Sequence, residues 1–201
     1  MELTYGRYLK VEELLQLQQP LSEGPEHDEM LFIIIHQVYE LWFKQILHEL
    51  EKLKSSFQEG ERGKALHTLK RIRSILKVLV SQVDVLETMT PLEFLSFRER
   101  LQSASGFQSC QFRELEFTLG LKNPKHLEHY PQGSEERNRL EKKMEEPSLW
   151  EVFLQFLSSL GHDSPKLKEG GRSIEPPDSS EDIQDLLEKI YRNHPDSALV
   201  C

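Results

Sequence analysis

Apolar side chains recur every three or four positions along most of the chain, which is the period of an amphipathic α-helix. The longest such stripe predicts a helix from about residue 28 to residue 60. Its members are Phe32, His36, Tyr39, Phe43, Ile46, Leu50 and Leu53. The first half of this helix is also apolar on its other side, at Leu31, Ile34, Val38 and Leu41. We therefore expect that half to be covered on most faces, in a large core or in a subunit interface.

A second stripe predicts another long helix from about residue 63 to residue 87. Its members are Leu69, Ile72, Leu76, Leu79, Val83 and Leu86. Three later positions carry the reciprocal N-terminal cap in which Ser or Thr is followed three residues later by Glu or Gln. These caps begin at Thr90, Ser105 and Ser148, and the last two predict helices to about residues 119 and 160. Strand patterns are almost absent, so the sequence predicts an all-α fold.

The sequence changes character after residue 160. From 161 to 180, glycines and prolines stand among charged residues and serines, which is typical of a flexible linker. A last amphipathic stretch follows it. We therefore predict a helical body over residues 1–160 with an N-terminal arm at 1–26, a linker at 161–180 and a short helical tail at 181–201.

Charge and composition exclude several classes of protein. The 201 residues include 34 Asp and Glu against 25 Lys and Arg, a net charge of -9. Such an acidic chain is unlike a general nucleic-acid binder, which needs a basic surplus to neutralise phosphates. No apolar run approaches the roughly 20 residues that span a bilayer, and no signal peptide is visible. With only two cysteines, a soluble cytoplasmic protein with neither nucleic-acid nor membrane partners is expected.

Two polar residues stand out against the apolar pattern. His36 lies on the stripe of the longest helix, either as a core histidine with satisfied ring nitrogens or as the polar group of an apolar ligand pocket. Arg98 shares a helix face with Phe94 and Leu101, which predicts a guanidinium on the buried side. Its partner is either an internal carboxylate or the carboxylate of a ligand. Together the two residues suggest an aromatic ligand that carries charge.

Other candidate chemistry is weaker. His126 and His129 could supply two metal ligands, but no third is obvious and a solvated turn is favoured. Cys110 lies within a helical pattern and is expected to be a small core residue. No phosphate-binding loop and no His-Glu-x-x-His zinc motif occurs in the sequence.

Several blocks of this sequence closely resemble the tryptophan 2,3-dioxygenase family. They are residues 3–9 (LTYGRYL), 27–44 (HDEMLFIIIHQVYELWFK), 86–91 (LETMTP), 97–98 (FR) and 103–109 (SASGFQS). The blocks 27–44 and 103–109 are long and specific and occur in the order and at the spacing of the family, and the likeness is clearest from residue 3 to residue 123. The resemblance implies an all-α long-helix bundle of the tryptophan/indoleamine dioxygenase type. It also implies a haem b enzyme that inserts O₂ across the indole C2–C3 bond of L-tryptophan to give N-formylkynurenine, in the kynurenine pathway of tryptophan catabolism.

The resemblance also assigns roles to individual residues. The substrate-binding residues would be Phe32, Ile33, Ile34, Ile35, His36, Phe94 and Arg98, with Tyr5 contributed by a neighbouring subunit of a homotetramer. Among them, His36 would be the catalytic residue that hydrogen-bonds the indole N–H, and Arg98 would hold the substrate carboxylate. Ser105 and Tyr8 would contact the cofactor. Many bacterial members carry Tyr where this chain has Phe94.

The sequence departs from the family near its end. The family's Trp-Arg-x-x-His segment, whose His is the proximal iron ligand, does not occur in residues 1–201, and neither does its Gly-Thr-Gly-Gly-Ser segment. We therefore assign no metal ligand, and we expect the chain to be incomplete and not to turn over tryptophan by itself. One alternative is a non-catalytic all-α oligomerisation module without haem. Another is a haem protein that uses a different proximal histidine, which would be His126, His129, His162 or His194.

Overall fold

A computed structural model describes residues 3–24, 26–162 and 181–193. Within these ranges the chain is helical and contains no strand, so the predicted all-α fold is confirmed. The α-helices are α1 (Tyr5–Leu9), α2 (Val11–Leu14), α3 (Asp28–Gln58), α4 (Arg62–Leu86), α5 (Pro91–Arg98), α6 (Cys110–Leu119), α7 (Glu135–Glu145), α8 (Leu149–Ser159) and α9 (Glu181–Asn193). Shorter 3-10 segments lie at Glu99–Leu101, Gly106–Gln108 and Pro124–His129.

The two long helices α3 and α4 form the centre of the molecule. They are antiparallel, because Tyr39 in α3 donates a hydrogen bond to the Leu79 carbonyl while Glu49, further along α3, pairs with the earlier Arg71. Helices α6 and α8 pack against α3 and complete the main core. Its fully buried centre includes Ile46, Leu50 and Leu53. The apolar stripe predicted for α3 therefore faces the core over the second half of the helix.

The stripe predicted for α4 is only half correct. Ile72 and Leu79 are buried against α3, but Leu69, Leu76 and Val83 are each about 40% exposed. The buried face of α4 consists of Ala65, Thr68, Ile72, Ile75 and Leu79. The predicted stripe has a seven-residue period, so alternate members lie at the edge of the contact with α3.

All three predicted reciprocal caps are formed, at Thr90, Ser105 and Ser148. The cap at Ser105 does not start a continuous helix, however, and that prediction is wrong. Ser105 caps only the three-residue 3-10 segment Gly106–Gln108. After this segment, Ser109 takes an extended conformation. The Ser109 hydroxyl then accepts a hydrogen bond from the Phe112 N–H and begins α6. A second N-cap residue thus interrupts the helix and creates a turn at Gly106.

Two smaller clusters surround the main core. Leu186 and Ile190 of α9 pack on Leu154 and Leu157 of α8. On another side, α6, α7 and the Pro124–His129 segment enclose Phe117, Tyr130, Leu140 and Met144. The predicted linker lies outside the described residues after residue 162. None of the described helices combines the length and the apolar composition that a bilayer crossing needs.

Candidate functional site

His36 is half-buried on α3, and a carbonyl group of the same helix determines which ring nitrogen carries the hydrogen of the neutral imidazole. Its Nδ1 atom lies 2.7 Å from the main-chain carbonyl oxygen of Phe32, one turn earlier. A carbonyl oxygen can only accept, so Nδ1 must donate. In the neutral imidazole the other nitrogen, Nε2, then carries no hydrogen and is a hydrogen-bond acceptor. His36 is therefore prepared to receive an N–H group from a ligand.

An aromatic wall flanks this histidine. The ring centroid of Phe32 lies 4.0 Å from that of His36, 5.9 Å from Phe94 and 5.6 Å from Phe97. Phe94 and Phe97 meet edge to face at 5.5 Å. Such tilted arrangements are the ones that aromatic rings favour, so the wall is a well-packed apolar surface with one imidazole on it.

The burial of α5 differs from the prediction. The face shared by Phe94, Arg98 and Leu101 is only half-buried, whereas Phe97 is fully buried. Phe97 anchors α5 against Phe32 of α3, and this leaves Arg98 at the margin of the contact. Phe97 was not identified from the sequence as a buried residue, and it appeared there only beside Arg98 in the block 97–98.

The guanidinium of Arg98 bonds to a main-chain carbonyl instead of a carboxylate in the described ranges. Its Nη1 donates to the main-chain carbonyl of Gln102 at 3.0 Å. Within the described ranges no Asp or Glu forms an ion pair with Arg98. Gln102 has φ 50° and ψ -120°, a conformation that side-chain-bearing residues rarely adopt. The internal salt bridge considered as one explanation of Arg98 is therefore absent from this part of the chain.

The turn at Gly106 lies next to the Nε2–Cδ2 edge of the His36 ring. A Cβ added to Gly106 would lie 3.9 Å from Nε2 and 4.0 Å from Cδ2 of His36. The adjacent Ser105 is exposed, and its hydroxyl accepts a hydrogen bond from the Phe107 N–H at 3.3 Å. The acceptor nitrogen of His36 thus faces a turn that carries no side chain at its nearest residue.

Residues that the sequence did not indicate hold this turn in place. The Tyr130 hydroxyl donates to the Gln108 carbonyl at 3.1 Å, and Nη2 of Arg113 donates to the Phe107 carbonyl at 3.4 Å. Burial raises the pKa of Tyr130, so its hydroxyl remains protonated and able to donate. These contacts end on main-chain oxygens, which leave no signal in a sequence.

The remaining predicted site residues fall in different places. Ile35 is buried, but Ile34 is 42% exposed, and a residue advances about 100° around a helix. Ile34 therefore lies nearly opposite Phe32 and His36 and does not face the same wall within one chain. Tyr5 and Tyr8 on α1 are 79% and 71% exposed.

The other chemical candidates form no metal site in the described ranges. No group of three or more His, Cys, Asp or Glu that could hold a metal ion occurs there. The rings of His126 and His129 are 6.5 Å apart on a 3-10 segment, and burial and the nearby Arg113 lower the pKa of His126. Cys110 is half-buried at the edge of a small cluster rather than in the core, and burial raises its pKa to about 11.

Comparisons with known proteins extend the sequence likeness along the chain. A family model described as tryptophan 2,3-dioxygenase matches residues 1–191. A tryptophan 2,3-dioxygenase of Herpetosiphon aurantiacus is 51% identical over 199 residues, which are 99% of this chain and 76% of that protein. One from Anaeromyxobacter sp. (strain K) is 50% identical over 200 residues, 99% of this chain and 74% of the relative. One from Nocardioides sp. is 53% identical over 165 residues, 80% of this chain and 62% of the relative.

Proposed function

This chain belongs to the tryptophan 2,3-dioxygenase family, and on that premise we propose that it binds L-tryptophan between the aromatic wall of α3 and α5 and the Gly106 turn. In this proposal, the reaction served by the site is oxidation of the bound substrate by O₂ at its indole C2–C3 bond to N-formylkynurenine, the first step of the kynurenine pathway. The part of residues 1–201 in it is to bind and orient the substrate, and we expect these residues by themselves not to turn it over. The observation that carries the proposal is the acceptor nitrogen of His36 on that wall.

Recognition of the indole follows from the proton on His36. An indole has one polar hydrogen, on its ring nitrogen, and can only donate it. Because Nδ1 is engaged with the Phe32 carbonyl, Nε2 is the complementary acceptor. The rings of Phe32 and Phe94 offer the apolar surface on which the indole would pack.

Recognition of the carboxylate is assigned to Arg98. Its guanidinium is fixed at one nitrogen by the Gln102 carbonyl, so the remaining N–H groups can receive an anion. A planar guanidinium matches a carboxylate with two parallel hydrogen bonds. His36 and Arg98 together would select an aromatic amino acid with a free carboxylate.

The described residues fit one face of a haem. They form an apolar wall with a single imidazole, and the exposed Ser105 hydroxyl stands next to the Gly106 turn. In the proposal, Ser105 and Tyr8 hold the edge of the cofactor. When bound, haem supplies the binding and activation of O₂. The work of this chain is to orient the indole through His36 and to exclude water with the phenylalanine wall.

An oligomer accompanies this proposal. Ile34 and Leu41 on the outer face of α3 are 42% and 53% exposed, and Tyr5 on α1 is also exposed. These apolar side chains support a homotetramer in which subunits cover each other's α3 and in which Tyr5 and Tyr8 approach a neighbouring site. Analytical ultracentrifugation would show a tetramer if this is correct and a monomer if it is wrong.

Calorimetric titration with two ligands tests the role of His36. L-Tryptophan and 1-methyl-L-tryptophan differ by one methyl group, which removes the indole N–H. We expect the wild-type chain to bind L-tryptophan about tenfold or more tightly than the methylated ligand, since the lost bond leaves a polar atom unpaired. We expect His36→Ala to bind both ligands equally and weakly.

His48→Ala is the matched control, because His48 is an exposed histidine of the same helix. It should keep the preference of the wild type for L-tryptophan. Equal binding of the two ligands by the wild-type chain would contradict the assignment of His36 to the indole N–H.

A further inference from the structure

We infer that Tyr130 is a positioning residue, which acts with Arg113 to hold the Gly106 turn against the Nε2 edge of His36. The inference rests on the proposed function, because it concerns the space in which the indole N–H would meet that nitrogen. Tyr130 lies outside the blocks on which the family resemblance was drawn.

The turn depends on few contacts of its own. Residues 103–108 are exposed, and the internal hydrogen bonds are those of a single 3-10 turn and its cap. The Gln108 N–H donates to the Ser105 carbonyl at 2.9 Å, and the Ser109 N–H donates to the Gly106 carbonyl at 3.1 Å. Exposed segments with so few buried contacts open at low free energy unless something else restrains them.

Tyr130 supplies that restraint from a fixed position. It is a buried member of the cluster between α6 and α7, and it packs there with Leu140 and Met144. Nη1 of Arg137 donates to the Tyr130 carbonyl at 3.3 Å, which holds its main chain as well. A rigid phenol thus reaches the Gln108 carbonyl at the end of the turn.

Arg113 restrains the neighbouring carbonyl. Its guanidinium is buried, pairs with Glu116 at 2.6 Å and also donates to Phe107 at 3.4 Å. Two consecutive carbonyl groups, those of Phe107 and Gln108, therefore each accept a hydrogen bond from a buried side chain. Since Gly106 directly precedes them, this pair of bonds sets the gap between Gly106 and His36.

The variant Tyr130→Phe tests the inference, because it removes only the hydroxyl and keeps the packed ring. Tyr39→Phe is a matched control, since the Tyr39 hydroxyl also donates to a main-chain carbonyl, that of Leu79 at 2.7 Å, but on α4. Hydrogen exchange of the Gln108 and Ser109 amides, read by NMR, reports opening of the turn. Titration with L-tryptophan and 1-methyl-L-tryptophan reports its effect on the His36 edge.

We expect Tyr130→Phe to exchange these two amides about fivefold faster, as loss of one hydrogen bond allows. We also expect it to lose most of the discrimination between the two ligands. Tyr39→Phe should leave both quantities unchanged, even if it lowers the free energy of unfolding equally. Unchanged exchange in Tyr130→Phe, equal acceleration in Tyr39→Phe, or full ligand discrimination in Tyr130→Phe would each overturn the inference.

The failure of the proposed function has a different signature. If the wild-type chain does not distinguish the two ligands, the indole assignment is wrong. Amide exchange still decides whether Tyr130 restrains the Gly106 turn.

Discussion

Gly106 approaches the imidazole of His36 so closely that a Cβ on Gly106 would lie 3.9 Å from Nε2. This is ordinary van der Waals contact, so a methyl group fits there but takes up space next to the Nε2–Cδ2 edge of His36. Gly106 does not have a left-handed φ angle, and the backbone therefore tolerates alanine. On the proposed function, the missing side chain at Gly106 leaves this space to the ligand.

Gly106→Ala should weaken L-tryptophan binding by about tenfold or more, since overpacking by one methyl group typically costs 1–3 kcal/mol. The free energy of unfolding should change by less than about 1 kcal/mol. Calorimetric titration and urea unfolding measure the two quantities. Gly63→Ala, at a helical glycine with open space around it, is the control and should leave binding unchanged. Wild-type affinity in Gly106→Ala would show that the ligand does not occupy this gap.

Arg98→Met should abolish selection for the substrate carboxylate. Tryptamine is tryptophan without its carboxylate, so the wild-type chain should bind L-tryptophan about 10- to 100-fold more tightly than tryptamine, the range expected for a hydrogen bond to a charged group. Arg98→Met should bind the two ligands with similar affinity in the same titration. Arg73→Met, at an exposed arginine of α4, should retain the selectivity. A selective Arg98→Met variant would exclude Arg98 as the carboxylate partner.

Glu29 should make attachment of the N-terminal arm dependent on pH. Burial raises the pKa of this carboxyl group, but hydrogen bonds from Ser22 and Leu21 and the positive charge of Arg100 outweigh it, so the pKa lies below its ordinary value of 4.5. The stabilisation is complete above pH 4.5 and is lost as the pH falls through the lower pKa of the folded state.

Replacement of Glu29 tests this pH dependence. Glu29→Gln should lower the free energy of unfolding at pH 7 by about 1–3 kcal/mol, because two hydrogen bonds to a buried charge are weakened. It should also remove part of the decline in the free energy of unfolding at acid pH. Urea unfolding at several pH values measures both effects. The exposed Glu23→Gln is the control, and an acid profile in Glu29→Gln identical to that of the wild type would contradict the expected linkage.

Gln102→Gly should stabilise the chain. The φ of 50° and ψ of -120° at Gln102 suit glycine, and relief of such strain is worth about 1 kcal/mol. The carbonyl that accepts from Arg98 belongs to the main chain and is kept. Lys10→Gly is an instructive comparison, because Lys10 has φ 51° and ψ 47°, in the ordinary left-handed region, and should gain less. Equal gains for the two variants in urea unfolding would argue against specific strain at Gln102.

Local patterns in the sequence predicted the elements that depend on local physics. The caps at Thr90 and Ser148 formed because each involves a side chain and an amide three residues apart. The buried half of α3 follows its apolar stripe, since one helix face must pack on the core. The break at Ser109 was missed because two overlapping N-cap signals compete there, and the later one starts α6.

The candidate site was predictable only in part. The position of His36 on an apolar stripe marked it, but its proton assignment depends on a main-chain carbonyl that every residue possesses. Tyr130 reaches across 22 positions to another main-chain carbonyl, so no periodicity or motif indicates the contact. The exposed edge of α4 was misjudged for a related reason, because a stripe on one helix does not show where the partner helix lies.

Helix α6 is tied to α3 by Gln111, whose amide donates to the carbonyl and the carboxylate of Glu40, 71 positions earlier in the chain. Closing so long a loop lowers the conformational entropy of the chain before the contact between α6 and α3 can form. The hairpin of α3 and α4 has a much shorter loop and can collapse first. Until α6 docks onto α3, the Gly106 turn is not held beside His36. Ligand recognition should therefore arise late in folding, after α6 has docked and Tyr130 has reached the turn.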